Sequence, residues 1–287
     1  MFKKFLYTVT ITILFVILFS TQINSDIHMD EKILLGPGYD IPSKISYIDT
    51  KDNSVHSFCN FGEQIECLEK NIFLILTDNE IVKYNKTTNS KESIFSAANY
   101  KLTDIEYFKI RNDSQISFSS NKRIFLYDIE QQRISEISLR NANIDTVHCW
   151  TEDGQKLYYT DADNSQIYCM DFNEDTTKKI VHGSKPQIGN NEILAYMNNS
   201  QLNILDLKSG ELKSYSKICY NYCLLQTANT VVIETDIPRL TLFKNILKKE
   251  RVLGHSIVIW DYENDKEMYI LESCEENIGN YFSIMLN

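Results

Sequence analysis

The chain has 287 residues, 43% of them hydrophobic, and a formal net charge of −10. That length suits one large domain or two small ones, and single all-β domains of this size are ordinary. The acidic balance repels phosphate backbones and argues against a nucleic-acid partner. Gly (9) and Pro (4) are scarce. Turns therefore fall to Asn, Asp and Ser, which cluster at Asp163-Asn164-Ser165 and Asn198-Asn199-Ser200.

Taken in chain order, residues 1–25 carry the signature of an export signal or signal-anchor helix. Lys3 and Lys4 precede an uncharged run from Phe5 to Phe19, and polar residues follow it. The run is short for a membrane span, and extending it through Ile23 brings it near the required length. Ile23-Asn24-Ser25 makes a poor cleavage site, which favours an uncleaved anchor over residues 5–23. Either way the positive-inside rule keeps the two lysines cytoplasmic and sends the rest across, giving an exported part with net charge −12. The expected location is extracytoplasmic: at the cell membrane with one anchor, or secreted if the signal is removed. Residues 26–44, with Gly36-Pro37-Gly38 and Pro42, are expected to form a linker.

From residue 45 a short phrase recurs: apolar, two residues, large apolar, Asp. It stands at Ile45–Asp49, Ile124–Asp128, Ile167–Asp171, Leu202–Asp206 and Ile257–Asp261, with an Asn-ended copy at Ile81–Asn85. The closing residues are 36, 43, 43, 35 and 55 positions apart. A period in this range built from short strands marks a β-propeller. Each closing Asp can accept backbone N–H groups just beyond it and so start a turn, which makes these residues turn formers and not catalytic carboxylates.

The units are expected to begin with apolar strands such as Ile72–Leu76, Thr146–Trp150, Glu192–Met197 and Thr230–Thr235, the first of each serving as the inner strand. The phrase at residue 45 lacks inner strands before it, and Asn280–Leu286 has the look of an inner strand with no outer strands after it. Joined, these leftovers complete one blade. The expected fold is all-β: a six-bladed propeller over 45–287, closed by pairing of the N- and C-terminal strands, with the signal or anchor helix before it.

The fourth unit carries recognisable text. His148-Cys149-Trp150-Thr151-Glu152-Asp153-Gly154-Gln155-Lys156-Leu157-Tyr158-Tyr159 resembles the W-S-P-D-G-x-x-I-x-F opening of TolB-type propeller repeats, with Glu152 in place of Pro. Its continuation, Gln166-Ile167-Tyr168-Cys169-Met170-Asp171, resembles the family's Q-I-Y-x-M-D. Leu157-Tyr158-Tyr159-Thr160-Asp161 is also similar to the Y-W-T-D phrase of receptor-type propellers. Both resemblances imply six blades, and the first implies an exported protein; neither implies a partner.

No catalytic, cofactor-binding or metal-binding set emerges. Neither a nucleophile elbow nor a Walker or dinucleotide glycine loop occurs. Asp161-Ala162-Asp163-Asn164 lacks the Gly and distant Glu of a calcium loop and is expected to be a hairpin turn. Of seven cysteines, Cys219 and Cys223 are the best candidates for a disulfide or metal, on weak C-x₃-C spacing; the rest are expected to act as small buried hydrophobes.

The strongest departure from regularity is an insertion, 236–254, with a net charge of +3 on an acidic protein. Leu240, Phe243 and Leu247 fall at helical spacing among Arg239, Lys244, Lys248, Lys249 and Arg251. This pattern predicts an amphipathic helix whose stripe either packs on the disc or docks on an anionic membrane or partner. Arg239, Phe243, Lys244, Leu247, Lys248, Lys249 and Arg251 are the docking candidates. The expected function is a membrane-anchored propeller that binds a protein or cell-surface glycan. The alternative is a metal-dependent lactonase-like or lyase-like enzyme with its site in the central channel.

Overall fold

Every copy of the repeating phrase is a strand, and each stands third in a four-stranded antiparallel sheet. The computed structural model describes residues 32–35, 45–49, 54–140, 143–225, 229–236, 255–271 and 282–285. Within them lie six such sheets. From the axis outward, blade 2 is β4 (Gln64–Glu69), β5 (Ile72–Thr77), β6 (Glu80–Asn85) and β7 (Ser90–Ser96). Blade 3 is β8 (Tyr107–Asn112), β9 (Gln115–Ser120), β10 (Arg123–Asp128) and β11 (Arg133–Glu136). Blade 4 comprises β12 (Ile144–Trp150), β13 (Lys156–Asp161), β14 (Gln166–Asp171) and β15 (Thr176–His182). Blade 5 comprises β16 (Ser184–Ile188), β17 (Ile193–Asn198), β18 (Gln201–Asp206) and β19 (Leu212–Ser214). Blade 6 has β20 (Cys219–Leu224), β21 (Thr230–Asp236), β22 (His255–Asp261) and β23 (Lys266–Leu271).

Blade 1 closes the ring. β24 (Phe282–Met285) pairs with β1 (Lys32–Leu35), followed by β2 (Ile45–Asp49) and β3 (Ser54–Cys59). One C-terminal strand therefore joins three N-terminal ones. The innermost strands contact each other in the cycle β24, β4, β8, β12, β16, β20 and back to β24, so the disc is closed and its inner edges are covered. Pairing of the chain ends and six blades agree with the sequence reading.

Two expectations change. Strand β1 lies inside the 26–44 segment read as a linker: Lys-Ile-Leu-Leu is too short to stand out beside its Gly and Pro neighbours. The strands taken as innermost in blades 2, 3, 5 and 6 are second in their sheets. The true innermost strands, QIECLE, YFKIRN, SKPQI and CYNYCL, carry polar residues because they line the axis. The signal or anchor segment lies outside the described residues, and among those residues no helix is long and apolar enough to cross a membrane.

The closing Asp residues turn the chain as their chemistry requires. Asp171 Oδ1 accepts the N–H groups of Asn173 (3.0 Å) and Glu174 (3.2 Å). Asp206 accepts those of Lys208 and Ser209, and Asp261 those of Glu263 and Asn264. Asn85 does the same with Thr87 and Thr88. At the opposite tips, Asp78-Asn79, Asn121-Lys122 and Asn199-Ser200 all have positive φ, the geometry of tight hairpins whose twist matches the strands. The Asp161 segment is likewise a turn, its carboxylate bonded to Asp163 N–H and the Asn164 amide.

Candidate functional site

Polar side chains gather at the axis and at the tip where the insertion leaves the disc. At the axis, Lys109 of β8 reaches across to Glu66 of β4, with Nζ 2.5 Å from the carboxylate. The two side chains keep 23% and 13% exposure, so the channel wall surrounds the pair without drying it. Burial alone would lower the Lys109 ammonium, but the Glu66 charge prevails and holds it above its ordinary value. Tyr107, Cys149 of β12 and Cys223 of β20 lie within electrostatic range of the same ammonium, which brings blades 3, 4 and 6 together on the axis.

Glutamines tie neighbouring blades there. Gln64 Nε2 donates to the Phe108 carbonyl (2.7 Å), and its Oε1 accepts the Phe108 N–H (3.0 Å). Gln187 repeats the device between blades 5 and 6, donating to Tyr222 O (3.0 Å) and accepting from Leu224 N–H (2.8 Å). Between blades 3 and 4, the Trp150 indole donates to Ser117 Oγ (2.7 Å), which sits 2.7 Å from His148 Nε2. His148 Nδ1 faces the Thr146 carbonyl at 3.2 Å. The bonds fit one tautomer, Nδ1–H donating to Thr146 and Nε2 accepting from Ser117. His148 and Ser117 have no solvent exposure. Burial pushes the imidazole down to about 4 and the Cys149 thiol up to about 12.

Chemically, these groups hold blades together. At neutral pH the serine–histidine pair is sealed, the Cys149 thiol is protonated and the lysine is paired with its carboxylate. Among the described residues no three His, Cys, Asp or Glu converge as a metal cage. Cys219 and Cys223 are thiols four positions apart on one strand, roughly 13 Å at strand rise and beyond disulfide reach. Sequence reasoning missed the Glu66–Lys109 pair because it missed β4 and β8, whose mixed polar and apolar text, QIECLE and YFKIRN, gives no strand pattern.

The second place is the β21–β22 tip. Arg239, Phe243, Lys244, Leu247, Lys248, Lys249 and Arg251 all lie outside the described residues, but the points where their segment leaves and returns are fixed. Asp236 pairs with His255 across the ladder. His255 Nδ1 lies 2.6 Å from Glu234 Oε1, and Tyr220 stacks on the imidazole at 4.2 Å while its hydroxyl donates to Asp236 (2.8 Å). Burial raises the Glu234 carboxyl above its ordinary value, and the bond from His255 opposes that.

The architecture can now be set beside known structures. TolB from Acinetobacter baumannii superposes with a TM-score of 0.67 at 13% identity, over 89% of this chain and 66% of that one. A protein described as a TolB from Agrobacterium tumefaciens gives 0.60 at 12%, over 87% and 90%. A chain of a nidogen/laminin complex gives 0.60 at 12%, over 89% and 98%. The chain has the TolB-type six-bladed fold. It spans just under two thirds of the Acinetobacter protein. No protein-family model and no curated protein sequence matches it.

The TolB-like text of blade 4 builds a defined turn despite Glu152 standing where the family has Pro. Asp153 Oδ1 accepts the Thr151 hydroxyl (2.6 Å) and Gln155 N–H (3.0 Å), which lowers its carboxyl. Gly154 takes φ +65, and a Cβ there would meet the Arg111 carbonyl at 3.0 Å. Arg111 donates to the Gly154 carbonyl (2.9 Å) and lies over Trp150 and Phe172 at 4.6 and 4.8 Å. Beside this turn, Glu152, Asp153, Lys156, Asn190 and Glu192 line an open groove of about 370 Å³ between blades 4 and 5.

Proposed function

We propose that this chain is an exported TolB-type propeller, held outside the cytoplasmic membrane by residues 5–23 or released if the signal is cleaved, that serves as a binding scaffold. Its docking element is the basic insertion, with Arg239, Lys244, Lys248, Lys249 and Arg251 as the charges and Phe243 and Leu247 as the apolar anchors.

One topological observation carries the reading. Second strands of all blades run the same way; β1 begins on one face of the disc, and β21 ends, at Asp236, on the other. Residues 24–31, eight in number and at most about 28 Å long when extended, separate the anchor from β1. An anchored disc therefore turns its β1-entry face to the bilayer and its insertion away from it. That arrangement favours an acidic protein or cell-surface glycan over the anchor's own membrane. The enzymatic alternative finds less support, since the described axial groups satisfy one another.

The test is cross-linking in intact cells, comparing wild type with a variant in which Lys244, Lys248, Lys249 and Arg251 are Ser. A cross-linked species lost from the variant, at unchanged melting temperature, supports the proposal. The same species captured equally by both proteins overturns it.

A further inference from the structure

The two faces of the disc carry different charge. Turns between first and second strands, and between third and fourth, lie on the face where β1 begins. Turns between second and third strands, and the connections from one blade to the next, lie on the other. Among the described residues between strands, the β1-entry face carries ten Asp or Glu against three Lys, and the opposite face five against four Lys or Arg. The excess is plainest in blades 4 and 6, where residues 172–175 and 262–265 each hold two carboxylates and no cation. Turn geometry does not demand these acids. The left-handed residue just before the fourth strand is Asp175 in blade 4 and Asp265 in blade 6, but Asn89 in blade 2 and Gln132 in blade 3. A neutral side chain serves that position, so the charge is surplus to the fold.

We propose that the acidic face is an electrostatic bumper that holds the anchored disc off anionic lipid. This rests on the anchor over residues 5–23, which turns the β1-entry face to the bilayer. Residues 24–31 permit a gap of up to about 28 Å, roughly three times the screening length of about 8 Å at physiological salt. The tether therefore leaves the disc free to settle on the lipid or to stand away, and the facing charges decide which. Acidic turns and anionic headgroups repel once the gap closes to about the screening length. Turning the disc over would bring up the less charged face, but the tether enters on the acidic one. The same repulsion keeps the opposite face, from which the insertion leaves, directed outward.

The experiment is energy transfer from tryptophan to a dansyl-labelled lipid, with the full chain reconstituted in liposomes. Both tryptophans report on the right face: Trp150 ends β12 and Trp260 stands one residue from the end of β22, each at the β1-entry side. Transfer is expected to fall when phosphatidylglycerol is added to phosphatidylcholine liposomes. It is expected to recover at about 1 M salt, where the screening length is about 3 Å. Glu130, Asp175, Glu192 and Glu263 are exposed. A variant combining Glu130→Gln, Asp175→Asn, Glu192→Gln and Glu263→Gln should lose roughly half of that fall at unchanged melting temperature, because it removes four charges from the acidic turns. Equal transfer in the two kinds of liposome, or a fall that neither salt nor the variant reduces, overturns the proposal alone. A chain that does not float with the liposomes overturns the anchor and the proposal with it.

Discussion

The second strand and the innermost strand of each blade are hydrogen-bonded neighbours, yet they live in different solvents. In β5, Phe73, Leu74, Ile75 and Leu76 are all buried, and β21 is buried from Thr230 to Thr235. Such strands are covered on both faces, so they read as near-continuous apolar runs. The innermost strands face a neighbouring blade and a wet axis. β4 and β8 run from buried to partly exposed along their length and carry Glu66, Lys109 and Arg111. The wall supplies the stability, and the ring around the axis supplies the polar joints between blades.

The sharpest way to break this comparison is to hollow the wall. Phe118 of β9 has no exposure and packs against Phe95 at 4.6 Å and Phe125 at 5.5 Å. Phe118→Ala should cost about 3–5 kcal/mol, read as a lower urea midpoint at unchanged slope. Ile110→Ala, on the half-buried part of β8, should cost markedly less. Equal losses at the two positions would mean that the axis is as dry as the wall.

His148 tests the joint between blades 3 and 4 through pH. Its folded value, about 4, lies below the ordinary 6.5, so between these two values the unfolded chain binds the extra proton. Stability therefore rises with pH across that window and is lost as pH falls through it, by about 3 kcal/mol for this group at most. Chemical denaturation of wild type and His148→Gln at several pH values should show that slope in the first and its absence in the second. A wild-type slope retained by the variant would assign the dependence to other groups.

The same contrast explains what could be read from the sequence. The third strands announced themselves by the recurring phrase with its closing Asp or Asn, and second strands such as β5 and β17 because they are largely apolar; the blade count and the pairing of the chain ends followed. β4, β8, β16 and β20 stayed hidden because a strand that lines water on one side loses its pattern: Ser184–Ile188 contains Lys185, Pro186 and Gln187 in five residues. β1 was hidden by its length. The Glu66–Lys109 pair, the Gln64 and Gln187 joints and the Glu234–His255 contact were illegible because each joins separate strands, most of them from different blades. The insertion stood out by its charge, and its side chains lie outside the described residues.

A gentler probe asks how wet the axis is. Lys109→Met leaves Glu66 without its cation, and in a dry interior that loss is severe. With both groups partly exposed, the loss should be about 1–3 kcal/mol, and Lys109→Met combined with Glu66→Gln should recover most of it. Calorimetry of the two variants decides. A double variant no more stable than Lys109→Met would show that the two charges do not act as a pair.

The smallest expected effect lies where the sequence was most legible. Asp171 closes the repeating phrase of blade 4 and accepts two backbone N–H groups, while its contact with Lys156 is long, 3.9 Å. Its role is therefore that of an acceptor and not of a charge. Blade 2 supports this within the same molecule, since Asn85 makes the equivalent pair of bonds at 2.9 and 3.1 Å with a neutral amide. Asp171→Asn should leave the unfolding midpoint within a few tenths of a kcal/mol, whereas Asp171→Ala, which orphans both donors at a solvated turn, should cost about 1 kcal/mol. If the Asn variant falls as far as the Ala variant, the carboxylate charge matters after all. The repeat would then be conserving charge on that face of the disc and not merely turning the chain.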